Sequence, residues 1–222
     1  MYTHEKWQSE THFPFGYVQY LPKDLDPKEK YPLVFFLHGA GERGEDLDVA
    51  VRHGFMKHVR EEGAEYPFLC VAPQCPKGKY WGGFIESLLA FLDDIMEKLP
   101  VDPDRVYLTG LSMGATGTFL LAMAAPERFA ALVPIAGSGI CWYAGALKSI
   151  PVRMYHGDVD DIVPLQESVT MLRELNRRGG KAELIIYHGL GHSAWTPAYK
   201  EPDLVPWLLS QNRKNNAPVV PE

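Results

Sequence analysis

Six short apolar runs, Leu33–His38, Phe68–Ala72, Val106–Gly110, Ala131–Ala136, Val152–His156 and Ala182–His188, alternate along the chain with longer segments of helical period. Runs rich in Val, Ile, Leu and Phe suit strands buried on both faces. Their alternation with helices is met by a mostly parallel sheet covered on each side, so the class is α/β. A further strand, Tyr17–Leu21, precedes any helix and is predicted as an antiparallel start. Phe84, Leu88, Leu92, Ile95 and Leu99 recur at steps of three or four, which predicts one helix ending at Pro100. Val169, Leu172 and Leu175 predict a second, Leu165–Arg178, stopped at Gly179–Gly180 where a left-handed cap forms easily. The segment 47–60 is predicted helical through Gly54, and 197–211 a terminal helix interrupted by Pro202 and Pro206.

A chain of 222 residues fits one domain. That domain is expected over 1–212, with 213–222, which has two prolines and no period, as a loose tail. With 46% hydrophobic and 23% charged residues the chain has the balance of a folded protein rather than a disordered one. A net charge of -6 and the lack of any Lys/Arg cluster argue against a nucleic-acid partner and favour small molecules. No run of about 18 apolar residues is present to span a membrane. The first residues carry no basic segment followed by an apolar one, so a cytoplasmic location is expected. Cys70, Cys75 and Cys141 form neither an even-numbered framework nor a zinc spacing and read as free thiols in a reducing compartment. Nothing in the sequence specifies an oligomer.

The chemistry centres on Gly110-Leu111-Ser112-Met113-Gly114, between the apolar run VYL and the helical stretch Ala115–Ala125. A strand before this motif and a helix after it make a sharp elbow that lifts the serine hydroxyl above a sheet. A serine hydroxyl is a poor nucleophile at neutral pH and needs a base, with a third group to hold that base. Two later loops supply both: His156-Gly157-Asp158-Val159-Asp160-Asp161 after the run VRMY, and Gly189-Leu190-Gly191-His192 after ELIIYH. Spacing leaves Asp158, Asp160 and Asp161 open as the acid, while His192 is the expected base. His188 and His192 stand four apart, as helical metal ligands do, but Gly189 and Gly191 make the stretch a loop, so no metal is expected. An anionic tetrahedral intermediate needs two donors, and the amides of Ala40, in the loop Leu37-His38-Gly39-Ala40-Gly41, and of Met113 are expected to supply them. The same glycine loop also reads as a plain tight turn that His38 closes.

Taken together, LHGAGERG at 37–44, TGLSMGATGT at 109–118, HGDVDDIVP at 156–164 and GLGHSAW at 189–195 resemble the α/β-hydrolase esterases. Within them the chain is similar to the phospholipase/carboxylesterase and dienelactone-hydrolase-like branch, from about residue 31 to 209. The resemblance implies the α/β-hydrolase fold and, through the family pattern HG-x-x-D-x-x-V-P, Asp160 as the acid. Dienelactone hydrolases proper use a cysteine where this chain has Ser112. Feruloyl and acetyl-xylan esterase modules look similar in the GERG and GHSAW regions.

The expected activity is hydrolysis of short-chain or aromatic carboxylic esters through an acyl-enzyme, with Ser112, His192 and Asp160 as the triad and no cofactor. A thioesterase, lysophospholipase or peptidase shares this chemistry, and a ligand-binding protein that kept the scaffold but lost turnover is the rival of another class. Trp81, Trp142 and Trp195 are candidates for the substrate pocket, though Trp81 reads equally well as a surface aromatic covering the next helix. Glu42 and Arg43 read as substrate contacts or, pairing with each other or with a loop carboxylate, as charges that fix the shape of their loop, and short loops leave no room for a large lid.

Overall fold

A computed structural model of the chain describes residues 1–216. Its elements in chain order are β1 (Tyr2–Trp7), β2 (Phe15–Tyr20), β3 (Tyr31–Leu37), α1 (Leu47–Ala50), α2 (Gly54–Glu62), β4 (Leu69–Pro73), α3 (Ile85–Lys98), β5 (Val101–Leu111), α4 (Met113–Ala124), β6 (Ala131–Ile135), β7 (Val152–Gly157), α5 (Leu165–Arg177), β8 (Ala182–Tyr187), α6 (Trp195–Ala198) and α7 (Leu204–Ser210). The strands form one eight-stranded sheet in the order β1-β2-β4-β3-β5-β6-β7-β8. β1 and β2 enter antiparallel, and from β4 to β8 every pairing is parallel.

Successive residues of the central strands serve opposite layers, because side chains alternate across a sheet. Leu33, Phe35 and Leu37 of β3 pack into a core that α3, α4 and α5 close with Leu88, Phe91, Phe119 and Met171. Val34 and Phe36 face the other core, closed by Phe55 of α2 and by Leu204 and Leu208 of α7. Helices therefore cover both faces, and the ends of the parallel strands are left as the place where loops gather. Among the described residues no helix is long and apolar enough to cross a membrane.

Three elements depart from the sequence pattern. β1 leaves no mark in the apolar pattern, because YTHEKW is a half-exposed edge strand with charges in it and no apolar run. The segment 47–60 is two helices, since Gly54 takes φ +76 and a Cβ there would stand 2.7 Å from the Phe36 ring. Of the two prolines in 197–211, Pro202 lies in the break between α6 and α7, but Pro206 sits inside the first turn of α7, where an N–H has no helical partner to lose. In the segment 213–222, Arg213–Asn216 make a 3-10 turn, with Arg213 and Lys214 at 2.8 and 2.6 Å from the Asp104 carboxylate. The rest, 217–222, lies outside the described residues.

Candidate active site

Ser112 stands between the end of β5 and the start of α4, at φ 53 and ψ -118, a conformation that a residue with a Cβ adopts only under constraint. The constraint is visible on both sides. The Ser112 amide donates to the Ile135 carbonyl at 2.8 Å, and the Ser112 carbonyl accepts from Ala115 and Thr116 at 2.9 and 3.2 Å. Gly110 and Gly114 allow the turn to close: a Cβ at Gly114 would overlap the Leu37 carbonyl and come within 2.7 Å of the His38 oxygen.

The loops after β3, β5, β7 and β8 leave the same edge of the sheet, since these strands run parallel. There the structure brings Ser112, His192 and Asp160 together. His192 Nε2 is 2.9 Å from Ser112 Oγ, and His192 Nδ1 is 2.8 Å from Asp160 Oδ2. A carboxylate only accepts, so Nδ1 carries the ring hydrogen and Nε2 is bare towards the serine hydroxyl. The other carboxylate oxygen accepts from the Ile162 and Val163 amides, each at 2.9 Å. Burial pushes the Asp160 carboxyl up, but the His192 hydrogen bond and those two amides outweigh it and hold it below its usual range.

Asp158 has a different task. Its oxygens meet His188 Nδ1 at 2.9 Å and the Gly189 amide at 2.7 Å, tying the loop after β7 to the loop after β8. The two loops also meet through backbone, with Asp158 and Val159 amides donating to Tyr187 and Leu190 at 3.1 and 3.2 Å. Gly157 is the point of closest approach, where a Cβ would overlap the Leu190 and Gly191 carbonyls. Asp161 is exposed.

Ala40 and Met113 each open a helical turn, so their amides have no preceding carbonyl to bond. The loop that carries Ala40 is braced by His38, which is wholly buried. Its Nε2 accepts from the Cys75 amide at 2.9 Å and its Nδ1 donates to the Gly39 carbonyl at 2.7 Å. Burial pulls the His38 ring down to about pH 4, against the opposing effect of the Gly39 carbonyl. Arg43 bonds the Ala40 and Lys79 carbonyls at 2.8 and 3.1 Å and lies over the Tyr80 ring. Glu42 turns inward, and burial raises its carboxyl.

The three tryptophans have separate fates. Trp81 is 1% exposed, which removes it from any open pocket wall. Its Nε1 donates to the His38 carbonyl at 3.0 Å, and so it props the Ala40 loop from beneath. The aromatic–glycine run YWGG gave no sign of this, because only the folded chain shows that the indole points under the loop. Trp195 packs edge-on against the His192 ring, 5.1 Å between centroids, and reaches His53 on its other side. Trp142 is 81% exposed on the 3-10 segment Cys141–Leu147, beside the exposed Tyr143. His38 and His156 carry no catalytic role in the sequence reading, and Asp158, open by spacing as the acid, instead ties two loops together. A signal existed for the histidines: each stands as His-Gly at the end of a parallel strand, and each is buried.

A model of the phospholipase/carboxylesterase family matches residues 84–200. Feruloyl esterase C of Emericella nidulans is 29% identical over 163 residues, which is 70% of this chain and 58% of that protein. Acyl-protein thioesterase 1 of Gibberella zeae is 24% identical over 198 residues, covering 72% of this chain and 83% of that protein. The crystal structure of a thermostable esterase superposes with a TM-score of 0.86 at 31% identity, over 95% of this chain and 63% of that one. The chain thus spans less than two thirds of both the feruloyl esterase and the thermostable esterase.

Proposed function

The chain belongs to the phospholipase/carboxylesterase family of the α/β-hydrolase fold, and on that premise we propose that it is a serine carboxylesterase acting on short-chain or aromatic acyl esters. The observation that carries this reading is the single line of contacts from Asp160 through His192 to Ser112 Oγ, at 2.8 and 2.9 Å. In the proposed reaction Ser112 Oγ attacks the acyl carbon while its proton passes to His192 Nε2. Asp160 stays ionised and orients the imidazole. The carbonyl oxygen, now negative, is held by the amides of Ala40 and Met113. His192 then gives its proton to the leaving alcohol oxygen, and water, activated by the same nitrogen, releases the acid and restores Ser112.

The exposed Trp142, Tyr143, Val159 and Ile162, on the loops after β6 and β7, support an apolar rim suited to an acyl or aryl group. The unpaired Cys70, Cys75 and Cys141 support a reducing, cytoplasmic setting. The test is release of p-nitrophenol from acetate and butyrate esters by wild type and Ser112→Ala. Wild type is expected to turn over and to be labelled by a fluorophosphonate at Ser112; equal, background-level rates would refute the reading. The similarity to an acyl-protein thioesterase favours a second one, thioester cleavage by the same triad. Acyl-coenzyme A thioesters compared with oxygen esters of the same chain length distinguish the two.

A further inference from the structure

Behind the Asp160 carboxylate lies a second imidazole that the proposed reaction leaves unused. His156 sits near the end of β7 and is 0% exposed. Its Nε2 is 2.8 Å from the Val163 carbonyl oxygen. A carbonyl only accepts, so Nε2 carries the hydrogen. The same nitrogen is 3.2 Å from Asp160 Oδ2, the oxygen that also receives His192 Nδ1. At the other end of the ring, Nδ1 is 2.7 Å from the Ser168 hydroxyl in α5.

Val163 is therefore engaged twice, its carbonyl with His156 and its amide with Asp160 Oδ1. His156 holds the acid loop closed by that carbonyl while its N–H edge lies beside the carboxylate. The groups facing Asp160 are His192 from the loop after β8, His156 from β7, and the Ile162 and Val163 amides of its own loop. Among the described residues no lysine or arginine pairs with it.

We propose that His156 is a positioning residue: it locks the Asp160–Val163 loop and sets how strongly Asp160 draws the His192 Nδ1 hydrogen. The inference rests on the triad reading given above. The His156 Nε2–H goes to the Val163 carbonyl, but the positive edge of the ring lies 3.2 Å from the Asp160 oxygen that receives His192, and a dipole aimed at an ionised carboxylate makes it less basic. Without the His156 ring dipole, Asp160 becomes more basic and draws the His192 Nδ1 hydrogen more strongly, while the loop loses its carbonyl anchor. A ring present only to fill space would be replaceable by another ring of similar size.

The experiment compares His156→Phe, His156→Gln and Ser168→Ala with wild type by the pH dependence of p-nitrophenyl acetate hydrolysis, with circular dichroism to establish folding. In parallel, the low-field proton resonance of His192 Nδ1–H is recorded in a Ser112→Ala background. His156→Phe is expected to lower kcat about tenfold with KM unchanged, to move the acid limb of kcat/KM to higher pH and to shift the resonance. His156→Gln, which retains a donor, is expected to restore most of the rate, and Ser168→Ala to move the limb in the same direction by less. A folded His156→Phe with the wild-type limb and an unshifted resonance would overturn the proposal. If that variant does not fold, Ser168→Ala decides, and an unmoved limb and resonance there overturn it too. Should wild type itself release no p-nitrophenol, the esterase reading falls, while the resonance still decides the role of His156.

Discussion

Leu37 and Gly114 meet backbone to backbone: the carbonyl at the end of β3 occupies the space that a side chain on residue 114 would need. This contact seats the loop bearing Ala40 directly against the serine turn. Gly114→Ala must push β3 and α4 apart, and is expected to lower stability by more than about 3 kcal/mol and to abolish ester hydrolysis. Gly41→Ala is the control, because nothing lies within 4 Å of a Cβ there; its effect on stability is expected to stay within about 0.5 kcal/mol. Urea denaturation followed by circular dichroism measures both, and equal midpoints for the two variants would contradict the account.

The Ser112 backbone predicts a trade between activity and stability. At φ 53 and ψ -118 the residue is in a region that glycine enters freely. Ser112→Gly is expected to stabilise the fold by about 1 kcal/mol, whereas Ser112→Ala keeps the Cβ and gains nothing from relief of strain. Both are expected to reduce hydrolysis at least about a thousandfold. Thermal unfolding of the two side by side is the check, and identical melting temperatures would show that the strain is absent.

Acid should weaken the fold through His38. Burial lowers its ring from 6.5 to about 4, so in the interval between these values the unfolded chain takes up a proton that the native chain refuses. The stabilisation is complete above pH 6.5 and is lost as pH falls towards about 4. Over that window it amounts to about 3 kcal/mol, at 1.36 kcal/mol for each pH unit. His38→Asn is expected to flatten the decline in unfolding free energy between pH 7 and pH 4.5. A variant as acid-sensitive as wild type would assign the effect elsewhere.

Trp142 is the candidate determinant of acyl preference. Its exposed indole offers a stacking face for an aromatic acid. Trp142→Ala is expected to lower kcat/KM for a feruloyl ester about tenfold, equivalent to about 1.4 kcal/mol of aromatic contact, and to leave an acetyl ester within about twofold. Parallel loss on both esters would place the ring outside the acyl site.

Much of the fold is written locally. The apolar runs for β3 to β7 stand out because each is buried on both faces, the half-buried edge strand β8 stands out by its own run of Leu184, Ile185 and Ile186, and the elbow stands out because few residue types fit it. β1 is not legible because half of it faces solvent, nor is the break before Gly54, because a helical period does not reveal that Phe36 lies in the way. The order of Ser112, an acid and His192 is legible along the chain. Among the carboxylates, spacing alone does not separate Asp160 from Asp158 and Asp161; the family pattern points to Asp160, and the physical reason is visible only in three dimensions. Asp160 is enclosed with two amides on one oxygen, whereas Asp158 spends both oxygens on the neighbouring loop. Trp81 is the opposite case, where an aromatic in the right stretch of sequence turned out to be buried under His38.

The contact of Gly157 with Leu190 and Gly191 makes the carriers of Asp160 and His192 a single mechanical piece. Lengthening one of them alone would slide the imidazole off its carboxylate, so a graft from another enzyme has to exchange both together.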